Sequence, residues 1–132
     1  MEPDVADRFE NVVREDGRYP LDAFAFLYRG LDFASRARYG EEAPGRGRHV
    51  SGQELCLALR RLAVEQWGPL ARLVLERWNV RCTRDFGEMV FLLVTHELMG
   101  KQDSDRVEDF DAVYDFREAF GHYEIPLSEL AE

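Results

Sequence analysis

The chain has 132 residues, of which 45% are hydrophobic and 33% charged, and its formal net charge at pH 7 is −9. This length and apolar content fit a domain with a buried core and exclude global disorder. The longest strictly apolar run, Met89 to Val94, is far too short to span a membrane, and the acidic start MEPDVADRFE is unlike a secretory signal. We therefore expect one cytoplasmic domain over residues 1–132, with no membrane contact.

The acidic excess is concentrated in the C-terminal segment, residues 103–132. This segment has ten acidic and two basic residues, whereas residues 1–102 have 16 acidic and 15 basic residues. Such an acidic segment disfavours nucleic acid as a partner, because attraction to phosphate supplies most non-specific affinity. It is compatible with a basic protein partner, or simply with solubility. We expect a protein partner or self-association, and a small-molecule ligand stays open.

Two amphipathic helices are predicted first. Residues 4–15 place apolar side chains at helical spacing, and Gly17 ends this helix. A second helix begins at Pro20, because a missing N–H costs nothing in the first turn. Its apolar side chains lie on two faces, which predicts packing on both sides: Phe24, Leu27, Tyr28 and Leu31 on one, Phe26 and Phe33 on the other.

A loop with a group of arginines follows at residues 37–50, ARYGEEAPGRGRHV. Three glycines and one proline in fourteen positions break the helical pattern. The loop is either an anion-binding or partner-binding element or a solvated surface loop. Its candidate partner-binding residues are Arg36, Arg38, Arg46 and Arg48.

The third and fourth helices have clear start signals. Ser51 and Glu54 have the spacing of a capping box, and the inward stripe that follows is Leu55, Ala58, Leu59 and Leu62. Cys56 lies within this helix as a small hydrophobe, and both cysteines are expected to be free thiols. Pro69 begins a fourth helix over 69–78, with Leu70, Leu73, Val74 and Trp78 facing inward.

The stretch TRDFGEMVFLLV, residues 83–94, contains the Asp-Phe-Gly that holds magnesium in protein kinases. The chain has no Gly-rich phosphate loop, strand lysine or catalytic Asp loop, so a kinase is excluded. Asp85 and Glu88 are instead spaced as a helix cap, with Thr83 as a second candidate. Gly87 permits the close approach of another backbone, and the apolar run predicts a central buried helix ending at Gly100.

Metal and cofactor sites are not expected. His96-Glu97 has no second histidine at position 100, so it cannot be a zinc motif. Asp103 and Asp105 resemble the start of a calcium loop, but the required glycine and glutamate are Glu108 and Tyr114. We assign no catalytic residue and no cofactor.

The acidic segment supplies a second set of candidate partner-binding residues: Asp103, Asp105, Asp109 and Asp111. Residues 107–120 fit a helix, favoured in their second half, or a strand of a hairpin. The predicted fold is mainly α, a compact domain of four to five helices. A small β-hairpin would make its C-terminal half a winged-helix-like unit, and α+β stays open.

Five stretches together resemble an uncharacterised family of small bacterial proteins over roughly residues 19–120. They are YPLDAFAFLYRGLDF, HVSGQELCLALRRLA, WGPLARLVLERWNV, TRDFGEMVFLLV and EDFDAVYDFREAF. The resemblance implies a bacterial cytoplasmic protein, and it implies no activity, substrate or catalytic residue.

The predicted function is a non-enzymatic protein-interaction or adaptor module. The alternative is a winged-helix-like nucleic-acid-binding regulator, which would need a continuous basic face built from Arg36, Arg38, Arg46, Arg48, Arg60 and Arg61. An enzyme is a third hypothesis. Its nearest base–nucleophile pair is His49 and Ser51, but Ser51 is better explained as a helix cap.

Overall fold

Helices make up most of the fold in the computed structural model, which describes residues 4–40, 50–100 and 106–120. The α-helices are α1 (Val5–Asp16), α2 (Leu21–Tyr39), α3 (Gly52–Trp67), α4 (Ala71–Arg77), α5 (Thr83–Thr95) and α6 (Phe116–Phe120). Two 3-10 helices, Gly68–Leu70 and Val107–Phe110, connect them. No β-strand occurs in these three ranges. The mainly α prediction is confirmed. None of the helices in these ranges has the length and apolar composition needed to cross a membrane.

Helix α2 is the centre of the core and is packed on two sides, as predicted. Phe24, Phe26 and Leu27 are at most 1% exposed. The Phe24 ring meets that of Phe9 at 5.8 Å, whereas the Phe26 ring meets that of Trp67 at 5.0 Å. Because Phe24 and Phe26 lie on different faces of α2, this helix packs against α1 on one side and against the junction of α3 and α4 on the other.

Helix α3 starts as the sequence predicts. The Glu54 backbone N–H donates to Ser51 Oγ at 3.1 Å, and the Ser51 N–H donates to Glu54 Oε1 at 3.0 Å. These hydrogen bonds help lower the pKa of Glu54 below its usual value. Cys56 and Leu59 are fully buried, and both cysteines are free thiols. The capping box is therefore confirmed, and the predicted stripe is buried at Leu55, Ala58 and Leu59 but only half-buried at Leu62.

The predicted inward face of α4 is wrong in part. Leu70 and Leu73 are 45% and 53% exposed, and the buried residues are Ala71 and Leu75. The 3-10 turn at Gly68–Leu70 delays the α-helix to Ala71. Positions 71 and 75 are one turn apart, so they share the inward face. Trp78 is half-buried, as expected, at 5.4 Å from the Trp67 ring.

Helix α5 begins and ends earlier than predicted. It starts at Thr83, so Asp85 is the third residue of the helix rather than its N-cap. It ends at Thr95 instead of Gly100, because Glu97 takes a left-handed φ of 59° and Leu98 N–H closes onto the Leu93 carbonyl at 2.8 Å.

The apolar run of α5 is less enclosed than the sequence indicates. Of residues 89–94, only Met89 and Leu93 are fully buried, and the others are half-buried. The prediction of a helix buried all round is therefore wrong, and α2 takes the central position.

Residues 107–120 follow the helical alternative only in part. They form a 3-10 helix, a turn and the short helix α6, with no strand and no unbroken helix. A helix in the second half is confirmed. The described residues thus supply no wing for a winged-helix unit, and residues 101–105 lie outside them.

Tertiary contacts hold this C-terminal part in place. The Phe110 ring is 4% exposed and packs on two glycines: a Cβ at Gly87 would lie 2.8 Å from Phe110 Cβ, and one at Gly52 would lie 3.0 Å from its ring. Thr83 Oγ1 donates to the Phe110 carbonyl at 2.5 Å. Tyr114 Oη donates to the Cys56 carbonyl at 2.8 Å. A close approach occurs at Gly87 as predicted, but the approaching group is the Phe110 side chain rather than a backbone.

Candidate functional site

An apolar groove runs between α1 and α2. We call it the α1–α2 groove; its volume is about 520 Å³, and its lining is Val5, Ala6, Phe9, Leu21, Asp22, Ala25, Tyr28 and Leu98. Val5 is 66% exposed, Leu21 43% and Tyr28 37%. Single exposed apolar side chains are ordinary, but several around one concavity indicate a binding surface.

Aromatic packing fixes the floor of the groove. The Phe9 ring stands edge-on to Phe24 at 5.8 Å and lies 5.9 Å from Tyr28. Phe24 is fully buried, so Phe9 is anchored to the core. Partial burial also raises the pKa of Tyr28. The floor is therefore preformed, which lowers the entropic cost of binding.

Charge is sparse in the groove. Asp22, in the first turn of α2, is the charged residue of the lining, and its carboxylate has no ion pair within the described part of the chain. A second hollow of about 660 Å³ continues along α2 from Tyr28. There Arg36 pairs with Asp32 at 3.2 Å. An occupant of the groove would therefore meet apolar side chains and one free carboxylate.

The two described arginines of the predicted set do not form a shared site. Arg36 pairs with Asp32, one turn earlier in α2. Arg38 Nη1 contacts Glu54 Oε1 at 2.6 Å and joins the end of α2 to the start of α3. Arg36 lines the second hollow beside the groove. Arg46 and Arg48 lie outside the described residues.

The two described acidic candidates also have local partners. Asp109 Oδ2 accepts the Arg106 backbone N–H at 3.1 Å and caps the 3-10 helix. Asp111 accepts two bonds from Arg84 Nη1, at 2.9 and 3.0 Å. Asp103 and Asp105 lie outside the described residues. In the described part of the chain, the predicted arginines and acids do not pair with one another.

The Asp-Phe-Gly tripeptide is architectural, as predicted, although its roles differ in detail. Asp85 Oδ1 accepts from Tyr19 Oη at 2.6 Å, and Oδ2 accepts from the backbone N–H groups of Arg81 and Cys82 at 2.8 and 3.2 Å. Burial and this bond raise the pKa of Tyr19. Phe86 is buried. The carboxylate thus ties α5 to the start of α2.

The sequence interpretation missed the groove because it placed Tyr28 in the buried stripe of α2. A usable signal was present: Leu21, Ala25 and Tyr28 are spaced four and three apart, which places them on one helix face. Nothing in the sequence shows that α1 leaves this face uncovered.

Comparisons with other proteins add no relative. No protein-family model matches the chain, and neither curated proteins nor solved structures give a significant match. The resemblance to a bacterial family stays a prediction. Within residues 4–40, 50–100 and 106–120, no three His, Cys, Asp or Glu side chains are grouped as metal ligands would be.

Proposed function

We propose that the chain is a non-enzymatic protein-interaction module whose α1–α2 groove binds an amphipathic helix of a partner protein. One observation carries this proposal: Val5, Leu21 and Tyr28 are exposed around a groove whose floor is the anchored Phe9 ring. A helix that lays its apolar face into a hydrophobic groove is a recurrent mode of recognition. Burial of these side chains would supply the affinity.

The charge of the groove indicates the chemistry of the partner. Asp22 is unpaired in the described structure, so a lysine or arginine beside the partner's apolar stripe would gain an ion pair. The net charge of −9 also attracts a basic segment during encounter. The same charge opposes association of two copies of this chain. We therefore commit to a basic amphipathic helix of another protein.

The described arginines give the nucleic-acid alternative less support. Of the four described arginines of that face, Arg36, Arg38 and Arg61 each hold a carboxylate partner, at 3.2, 2.6 and 3.1 Å. The fourth, Arg60, lies over the Tyr114 ring at 5.9 Å. Paired guanidinium groups attract phosphate less, because the neighbouring carboxylate cancels much of their field. The acidic excess of the chain acts in the same direction.

A matched pair of charge substitutions tests the proposal. Leu21→Asp puts a charge in the groove, whereas Leu73→Asp puts one at an exposed leucine of α4 outside it. Tagged wild type and both variants are used to recover partners from nuclease-treated lysate of the source cells. We expect wild type and Leu73→Asp to retain one stoichiometric protein, and Leu21→Asp to lose it. Truncation of an interface anchor costs about 1–2 kcal/mol or more, and a buried charge costs still more.

Photo-crosslinking then identifies the occupant. A benzophenone amino acid replaces Tyr28 in one protein and Leu73 in another. We expect the Tyr28 position alone to crosslink, within a partner helix that carries an apolar stripe and an adjacent lysine or arginine. Retention by Leu21→Asp, a crosslink to a second copy, or recovery that needs nucleic acid would each overturn the proposal.

A further inference from the structure

A second concave surface, formed by α4, α5 and α6, is lined by four arginines. We call it the arginine pocket; its volume is about 580 Å³, and it includes Arg72, Arg81, Arg84 and Arg117. None of these residues lines the α1–α2 groove. A concentration of guanidinium groups is unexpected in a chain of net charge −9 and calls for a physical explanation.

Two of these guanidinium groups are held in place and two are free. Arg72 Nε pairs with Glu76 at 3.0 Å, and Arg84 pairs with Glu88 and Asp111. The side chains of Arg81 and Arg117 have no carboxylate partner in the described part of the chain, and both residues are exposed. The pocket therefore presents two uncompensated positive groups beside two fixed ones.

The one carboxylate in the pocket lining is Asp115. Its Oδ1 accepts the backbone N–H groups of Arg117 and Glu118 at 2.8 and 3.2 Å. This carboxylate therefore caps the start of α6. Its side-chain bonds do not include the Arg81 or Arg117 guanidinium, and those two groups keep free donors.

Aromatic surface lies next to the arginines. Tyr114 lines the pocket and is half-buried, and the Phe116 ring stacked behind it, 5.9 Å away with planes inclined by 20°, is only 5% exposed. Such surfaces accept planar organic groups, and arginine provides forked donors that match phosphate oxygens. The combination of an anion site and an apolar wall is a feature of small-molecule sites.

We propose that the arginine pocket binds a small phosphate monoester with a planar apolar body. Arg81 and Arg117 hold the phosphate dianion, and the planar body lies against the half-buried Tyr114. Arg72 and Arg84, each paired with a carboxylate, complete the wall of the pocket. The site is independent of the α1–α2 groove, and a ligand bound there would be a second input to the protein.

Phenyl phosphate is the probe for this site. Its binding is followed by NMR titration of the full chain labelled with ¹⁵N, at low ionic strength because salt screens exposed charges. We expect saturable shifts confined to residues of the arginine pocket. Inorganic phosphate should bind more weakly because it lacks the ring, and phenol should give no saturable shifts because it lacks the charge.

Three arginine variants make the test specific. Arg81→Gln and Arg117→Gln should each weaken phenyl phosphate binding about tenfold, the effect of losing a charge-assisted hydrogen bond. Arg77→Gln is the matched control, since Arg77 is an exposed arginine of α4 without an ion pair in the described structure and outside this pocket. Its affinity should stay within about twofold of wild type. Unchanged thermal unfolding confirms that the variants are folded.

The outcomes separate this proposal from the proposed function. The arginine pocket proposal is overturned by an absence of saturable binding, by equal loss in Arg77→Gln, or by unchanged affinity in Arg81→Gln and Arg117→Gln. Leu21→Asp should bind phenyl phosphate as wild type does, because Leu21 lies in the other site. Failure of either proposal therefore leaves the other intact.

Discussion

Substitution of Thr83 tests how the C-terminal part is attached to the rest of the domain. Thr83 is 1% exposed, and its hydroxyl makes two bonds. It donates to the Phe110 carbonyl at 2.5 Å and accepts the Val113 N–H at 3.2 Å. Thr83→Val keeps the shape of the side chain and removes both bonds. Thr83→Ser keeps both bonds and removes one methyl group.

The expected loss follows from these contacts. A buried carbonyl left without a donor costs about 1–3 kcal/mol, and the Val113 N–H is half-buried, so water can replace part of its bond. We expect Thr83→Val to lower the free energy of unfolding by about 2–3 kcal/mol. Thr83→Ser should lower it by about 1 kcal/mol, the value of one buried methyl group. The serine variant should thus be the more stable of the two.

Urea unfolding of wild type and variants measures these differences, with the m-value checked for two-state behaviour. Thr95→Val is the control, since Thr95 is the exposed last residue of α5, and its change should stay within about 0.5 kcal/mol. Hydrogen exchange at the Val113 amide should accelerate in Thr83→Val alone. If Thr83→Val is as stable as Thr83→Ser, the hydroxyl bonds do not hold this segment and the reasoning is wrong.

Two further predictions concern the core. Gly30→Ala should lower the free energy of unfolding, measured in urea, by about 1–2 kcal/mol, because its Cβ would lie 2.7 Å from Leu59 Cγ. Gly100→Ala is the control, since a Cβ there meets nothing within 4 Å. Equal stability of the two variants would contradict the tight contact between α2 and α3. Burial raises the pKa of Cys56 from 9.0 to about 12, so the folded state keeps a proton that the unfolded state loses. The free energy of unfolding should therefore fall between about pH 9 and pH 12, by up to about 1.4 kcal/mol per pH unit from this group. The fall should be smaller in Cys56→Ala. An unchanged slope in that variant would show that the Cys56 thiol is not the group responsible.

Local signals predicted much of this fold. Ser51 and Glu54 form a capping box within one turn of chain, so no tertiary information is needed to find it. Asn79 takes a left-handed φ of 65° just after α4, a conformation that asparagine tolerates better than most residues. The two-sided packing of α2 followed from the number of its large apolar residues. These features depend on neighbouring positions, which the sequence displays directly.

Features that depend on contacts between residues distant in sequence could not be predicted from local sequence patterns. Thr83 and Asp85 are both candidate caps in the sequence, yet the cap position is Cys82. Asp85 lies at the third helical position, where it accepts from Tyr19, 66 positions away. Residues 106–120 have weak periodicity in the sequence, and their path depends on contacts with Thr83 and Gly87. Tyr28 was assigned to the core because the sequence does not show where α1 ends its coverage of α2.

The identification of candidate site residues was limited for the same reason, because the partner of a charged side chain is visible only in the folded structure. Charged residues are conspicuous in sequence, so arginines and aspartates were chosen first. In the structure, Arg38 and Asp111 stabilise neighbouring elements through Glu54 and Arg84. The unpaired charges, such as Asp22, can be identified only after the pairing partners of all the others are known.

The position of Phe110 on Gly52 and Gly87 has a consequence for biosynthesis. Phe110, Phe116 and Phe120 are all buried, yet a ribosome makes them after α1 to α5. Until residue 120 has left the exit tunnel, the starts of α3 and α5 expose the surface that these rings will cover. At about 5–20 residues per second, that interval lasts roughly a second or more for the segment after Gly100. Exposed apolar surface of this kind is what chaperones bind during synthesis, and a pause in translation beyond α5 would prolong its exposure.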